Sequence, residues 1–231
     1  NSFGCTIDNQ SDNYSLFAVQ GPKSIELLQQ LTDEDLLAVK YYNFKIGSIA
    51  GVDDVILSRT GYTGEIGFEL YVKNDDAKQL WEAIFSTDMN VKPIGLAARD
   101  TLRLEKGFCL YGNDINESTS PIEAGLGWIT KFTKTFINAE NLKKQKELGT
   151  KRKIVGLEII DRGIARKDYP IVNIDGKEIG MVTSGTMSPT LKKAIAMGYI
   201  ATEFSEIGTE VFVKVRNKRI KAKVVQIPFV K

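Results

Sequence analysis

The sequence predicts an α+β half followed by a small all-β domain, a barrel or jelly roll. Three features point there. Helix-spaced and strand-spaced apolar patterns alternate through the first half; a charged helix over 138–148 stops at Gly149; beyond it, short β-type runs are separated by turn signals. The implied domains are 1–128, a connecting helix at 129–150, and a β-barrel at 151–231.

Tyr14 to Gln20 (YSLFAVQ) reads as a strand, and Gly21-Pro22 breaks it to open a helix through Leu31, with Ile25, Leu28 and Leu31 on one face. Phe44 to Ala50 and Val55 to Ser58 are short strands. Gly67 to Lys73 (GFELYVK) alternates cleanly: Phe68, Leu70 and Val72 point one way, Glu69 and Tyr71 the other. Asn74 is placed to cap a helix carrying Ala77, Leu80, Trp81, Ile84 and Phe85 at helical spacing. A further helix starts at Pro93 and ends near Gly107, with Arg99 and Arg103 on one face. After Gly149, strands are expected at Ile154–Ile160, Ile171–Ile174, Lys177–Thr183, Ala194–Ala201, Val211–Val215 and Ile220–Ile227. Asp175-Gly176 suits a two-residue hairpin turn, and Asn217-Lys218 would join the last two strands.

Composition narrows the chemistry. The 231 residues contain no histidine, which removes Ser-His and Cys-His nucleophilic mechanisms and makes an imidazole-bound metal an unsuitable reading. Acid–base work would fall to carboxylates, Lys, Tyr or the substrate itself. The two cysteines, Cys5 and Cys109, make neither a disulfide framework nor a Cys-rich metal site. No apolar run reaches the roughly 18 residues of a membrane span. The polar opening Asn1-Ser2 is unlike a signal peptide, and the missing initiator Met suggests that upstream sequence has been removed. Net charge is +2 but uneven, with 16 basic and 8 acidic residues from Lys151 onward. That half suits an acidic partner or nucleic acid, or is a solvated basic surface.

Three segments carry candidate chemistry. Arg59 to Glu69 (RTGYTGEIGFE) combines glycines at 61, 64 and 67 with the aromatic face of Tyr62 and the carboxylate of Glu69. A carboxylate beside an aromatic suits a flat heterocycle with a donor edge; a glycine-rich hairpin with a solvated Glu is the plain alternative. On Gly95 to Asn113 (GLAARDTLRLEKGFCLYGN), Arg99 and Arg103 could fork onto a carboxylate, or be salt-bridged by Asp100 and Glu105. In Lys177 to Gly198 (KEIGMVTSGTMSPTLKKAIAMG), TSG and SPTL read as polar turns, and Ser184 and Ser188 have no His to activate them.

Together these segments, with FAVQGP near the start and VVQIPFVK at the end, resemble the folate-dependent aminomethyltransferase family of the glycine cleavage system across essentially the whole chain. The resemblance implies a partial folate-binding α+β half before the barrel, with a folate in a central hole between domains. It assigns Glu69 to the pterin, Arg99 to ligand binding and Tyr62 to a wall or stacking role. It implies methylene transfer from an aminomethyl group on the lipoylated H-protein to tetrahydrofolate, with release of ammonia. It implies a reaction without metal, nucleic acid or membrane, and a bacterial cytoplasm is expected, with the mitochondrial matrix as the alternative. Family members are longer, and the extra length carries a folate-facing aspartate upstream of Asn1. The expected catalytic residue is therefore not in this chain, which on its own should be a weak folate binder, should not turn over, and should expose apolar surface on its first half. The rivals are another folate-dependent demethylase or one-carbon module, and a non-catalytic folate or RNA-modification helper.

Overall fold

A computed structural model describes residues 4–231, so the Asn1-Ser2 opening lies outside the described residues. The chain forms two compact units, the first ending at Gly95 and the second spanning Leu96–Lys231.

The first unit contains β1 (Tyr14–Gln20), α1 (Ser24–Gln29), β2 (Phe44–Ile49), β3 (Val52–Ser58), β4 (Gly67–Lys73) and α2 (Ala77–Ser86). Its antiparallel sheet runs in the order β1-β4-β3-β2. The alternation in GFELYVK is realised: Phe68, Leu70 and Val72 are buried with Leu27 and Leu28 of α1 and Leu80 and Ile84 of α2. The other face pairs Glu69 with Ala18 and Ser58, and Tyr71 with Leu16 and Ile56. Much of it is apolar and open, with Leu16 47%, Phe44 64% and Ile46 57% exposed.

Two local expectations are corrected here. β3 begins at Val52 rather than Val55, because Ala50 and Gly51 both adopt positive φ and close a tight hairpin that pairs Ile49 with Val52. Asn74 does not cap α2. Its Oδ1 accepts from Ser15 Oγ at 2.8 Å and its Nδ2 donates to the Asp12 carbonyl at 2.7 Å, so it ties the end of β4 to the start of β1. A 3-10 turn over Asn74–Asp76 precedes the helix instead.

The second unit holds α3 (Leu96–Glu105), α4 (Ala139–Leu148) and six strands: β5 (Arg152–Ile159), β6 (Pro170–Val172), β7 (Glu178–Ser188), β8 (Lys193–Ala201), β9 (Glu210–Val215) and β10 (Lys218–Val225). The strands close into an antiparallel barrel in the order β10-β5-β8-β7-β6-β9. Leu157, Ile171, Val182, Ala196, Val213 and Ala222 fill it. α3 and the segment to Gly127 belong to this unit with the barrel, whereas the sequence divides the chain at 128 and 150.

Three turn expectations differ from the structure. The β6–β7 connection is a three-residue loop, Ile174-Asp175-Gly176, framed by Asn173 and Lys177, with φ +84° at Gly176. Arg216-Asn217, not Asn217-Lys218, joins β9 to β10, since Val215 pairs with Lys218. Thr183-Ser184-Gly185 is no turn: β7 runs straight through it with a bulge between Val182 and Ser184. The extra residue of a bulge lets two neighbouring side chains point to one side, and both hydroxyls use this to reach Asp114. Gly185 is needed there because a Cβ would lie 2.2 Å from the Ala165 carbonyl oxygen.

Candidate functional site

Glu69 lies mid-strand on the open face of the first unit's sheet, half-buried. The Thr60 hydroxyl donates to its Oε2. Thr60 Oγ1 lies 3.1 Å from Ser58 Oγ; since the Thr60 proton goes to the carboxylate, Ser58 is the donor in that contact. The carboxylate is thus held at the end of a short hydroxyl relay.

Tyr71 and Tyr41 feel its charge. Burial raises the Tyr71 phenol above its ordinary value, and the Glu69 charge adds to that. The Tyr41 phenol is raised by burial, by its hydrogen bond to Tyr42, by the charge of Tyr42 and by the charge of Glu69. The Tyr41 and Tyr42 rings are 4.2 Å apart and tilted by 55°. Tyr62, in the loop between β3 and β4, is half-buried. A fixed carboxylate with flat aromatic neighbours is the arrangement that accepts from the N–H edge of a planar heterocycle while its face is covered.

The arginines of α3 do not form a fork. Arg99 is exposed, whereas Arg103 is 1% exposed and satisfied inside the second unit. Arg103 donates from Nε to Asp100 at 2.8 Å, from Nη1 to Asp114 at 2.6 Å and to the Phe108 carbonyl at 3.1 Å, and from Nη2 to Ser184 Oγ at 2.8 Å. The salt-bridged alternative therefore describes Arg103, but in the interior rather than on a helix surface. Glu105 is not its partner; that carboxylate accepts from Ser188 Oγ at 2.5 Å and from the Thr190 hydroxyl at 2.9 Å. Ser184 and Ser188 are buried structural donors, 4% and 0% exposed.

Sequence reasoning named Glu69, Arg99 and Tyr62 as candidates and gave no role to Thr60, Tyr41 or Tyr71. Tyr71 carried a signal, since alternation puts it on the Glu69 side of the strand. Thr60 lies inside the quoted motif but has no periodicity to mark it. Among the described residues no cluster of three or more His, Cys, Asp or Glu is placed to hold a metal, and no helix is long and apolar enough to cross a membrane. Two open surface depressions, one near Asn13 and Lys73 and one near Tyr111 and Asn116, include none of Glu69, Tyr62 or Arg99.

Comparison with known proteins bears on all of this. Residues 1–134 match the family described as GCVT N-terminal domain, and residues 152–231 match the Glycine cleavage T-protein C-terminal barrel domain. The chain is 55% identical over 233 residues to an aminomethyltransferase of Flavobacterium psychrophilum, a match covering 100% of this chain and 65% of that protein. It is 56% identical to one of Bacteroides thetaiotaomicron, covering 99% of this chain and 64% of that protein. The crystal structure of glycine cleavage system aminomethyltransferase T from Bartonella henselae is similar at a TM-score of 0.86 and 35% identity, over 94% of this chain and 60% of that one. This chain therefore spans about 65% of the length of the curated relatives it matches.

Proposed function

Because the chain belongs to the glycine cleavage T-protein family, we propose that it is the folate-contacting and barrel portion of an aminomethyltransferase. The substrates are tetrahydrofolate and the aminomethyl-lipoyl form of the H-protein. The reaction breaks the carbon–sulfur and carbon–nitrogen bonds of the S-aminomethyl group and forms two carbon–nitrogen bonds to the folate. The two folate N–H protons go to the leaving amine and thiolate, giving ammonia, the dithiol carrier and 5,10-methylenetetrahydrofolate. The reduced folate supplies the nucleophilic nitrogens; the protein binds and orients them.

In this reading Glu69 accepts from the amino-pyrimidine edge of the pterin, Tyr62 forms part of the wall, and Arg99 binds the acidic tail. The observation that carries it is the Glu69 carboxylate, held by Thr60 on an open sheet face that also carries Tyr71. A pinned carboxylate loses less side-chain entropy on binding than a swinging one would. The setting we infer is a bacterial cytoplasm.

The test is tetrahydrofolate affinity of the full-length protein with Glu69→Gln. Loss of a charge-assisted pair costs roughly 1.5–3 kcal/mol, so binding should weaken about ten- to a hundredfold while the melting temperature holds. Unchanged affinity would remove Glu69 from the site. The chain by itself, at about 65% of its relatives' length, should release no ammonia from aminomethyl-loaded carrier; turnover at the full-length rate would contradict that.

A further inference from the structure

The loop that carries Thr60 is held by a side chain from a neighbouring strand. Gln20 ends β1, and its Nε2 donates to the carbonyls of Thr60 and Phe68, both at 3.1 Å. One of these residues binds the Glu69 carboxylate and the other immediately precedes Glu69. Two acceptors facing one amide fix its orientation, because the reversed amide would set an oxygen against two carbonyl oxygens. The same corner of the chain holds a third carbonyl: the Gly21 amide and the Ser24 hydroxyl both donate to Ile66 O, at 2.8 and 3.1 Å.

Two glycines of the motif make room for this amide. A Cβ at Gly61 would lie 2.0 Å from Gln20 Oε1, and one at Gly67 would lie 2.5 Å from it. Neither glycine has a positive φ, so the requirement is space rather than backbone freedom. The arrangement also leaves Gln20 Oε1 buried without a hydrogen-bond partner. An unmade bond of that kind costs roughly 1–3 kcal/mol and offsets much of what the two bonds from Nε2 contribute. A contact kept at that cost is easier to understand as geometry for a site than as stability for a sheet.

We propose that Thr60 is the positioning residue for Glu69, and that Gln20 seats Thr60. The inference rests on the reading of Glu69 as the group that meets the pterin. Without a donor on Oε2 the carboxylate turns about its last side-chain torsion, and a bidentate ligand edge needs both oxygens held in the plane of that edge. Thr60 holds that plane from one side, its own hydroxyl oriented by Ser58, while Gln20 keeps the Thr60 and Phe68 backbones in register. The chemical class recognised is a cyclic amidine or guanidine edge with adjacent N–H donors, such as an amino-pyrimidine. The carboxylate binds that edge specifically and tolerates little else.

The experiment uses the full-length protein with Thr60→Val, Thr60→Ser, Gln20→Leu and Glu69→Gln. For each variant, kcat and KM are measured for tetrahydrofolate, together with Kd for tetrahydrofolate and for its analogue lacking the 2-amino group. Thr60→Val should raise KM and Kd for tetrahydrofolate about tenfold, as for one misaligned charged hydrogen-bond pair, with a smaller change in kcat. Thr60→Ser, which keeps the hydroxyl, should recover most of that. For the desamino analogue the Thr60→Val loss should largely vanish, because one of the two donors is gone. Gln20→Leu should move in the same direction as Thr60→Val, and the double variant should be no worse than the larger single effect. Equal losses on both ligands, failure of Thr60→Ser to recover binding, or wild-type binding by Thr60→Val would each overturn the positioning role. Weak binding by Glu69→Gln beside normal binding by Thr60→Val would sink this proposal alone. Normal binding by Glu69→Gln would sink the reading of Glu69 and the proposal with it.

Discussion

Arg99 and Arg103 stand four residues apart on α3 with opposite surroundings: one is exposed, the other has its guanidinium satisfied by carboxylates, a carbonyl and a hydroxyl. Cys109 lies near the buried Arg103 and Asp114. Burial pushes its thiol up to about 11, the Asp114 charge adds to the effect, and Arg103 opposes it. The unfolded chain would lose this proton near the ordinary value of 9.0, while the folded chain keeps it until about 11. The unfolded state therefore binds fewer protons across that window. The stability contribution is intact below pH 9.0 and is lost as pH rises through about 11. Urea midpoints measured from pH 8 to pH 11 should fall more steeply for the wild type than for Cys109→Ala. Parallel curves would show that the thiol is not the source.

At the element scale, α3 is an amphipathic helix with little apolar anchorage. Leu104 is fully buried, but Leu96 is 83% and Leu102 37% exposed. It attaches to the barrel through Leu104, packed with Ile154, Ile195, Met197 and Tyr199, and through polar groups. Asp114 accepts from Arg103 and the Leu110 amide on one oxygen and from Thr183 and Ser184 on the other. The Glu105 backbone carbonyl accepts from the amides of Phe229 and Val230, at 2.9 and 3.0 Å, which ties the C-terminal tail to the end of α3. Asp114→Asn keeps the shape but leaves the buried guanidinium with only the half-exposed Asp100 carboxylate as counter-charge, a loss of about 3 kcal/mol. Glu105→Gln should cost about 1 kcal/mol, because one hydroxyl still donates to the amide oxygen and the other can turn to accept from the amide nitrogen. Denaturant midpoints at constant slope decide this; equal small effects would mean that apolar packing holds the helix.

Over the whole molecule, charge is the property that local structure leaves unexplained. The basic excess after Lys151 is partly neutralised on the barrel surface, where Lys221 pairs with Glu210 and Lys214 with Glu178. Arg219 is partly engaged, donating to the Ile174 carbonyl at 3.1 Å and lying 5.5 Å over the Phe212 ring. Lys218 begins β10 and is exposed. If this face receives an acidic carrier, reversing Lys218, Arg219 and Lys221 to Glu raises KM for the lipoylated carrier and leaves tetrahydrofolate affinity unchanged. That gain in KM should shrink at high salt, as exposed charges are screened. An unaltered carrier KM would leave these residues as a solubilising surface.

The sequence by itself determined the kinds of element, their order and their buried faces. A period of two in GFELYVK, or of three to four in α2, is fixed by backbone geometry acting over a few residues. It also singled out Glu69 and Tyr62 as candidates, since the motif is contiguous. It did not determine which polar side chains meet. Gln20 reaches Thr60 across 40 positions, Arg103 reaches Ser184 across 81, and Asn74 finds Asp12 instead of the helix beside it. Only the tertiary structure decided those pairings. A buried hydrogen bond depends on an angle and about 3 Å of separation between groups far apart in the chain, and no local repeat records that.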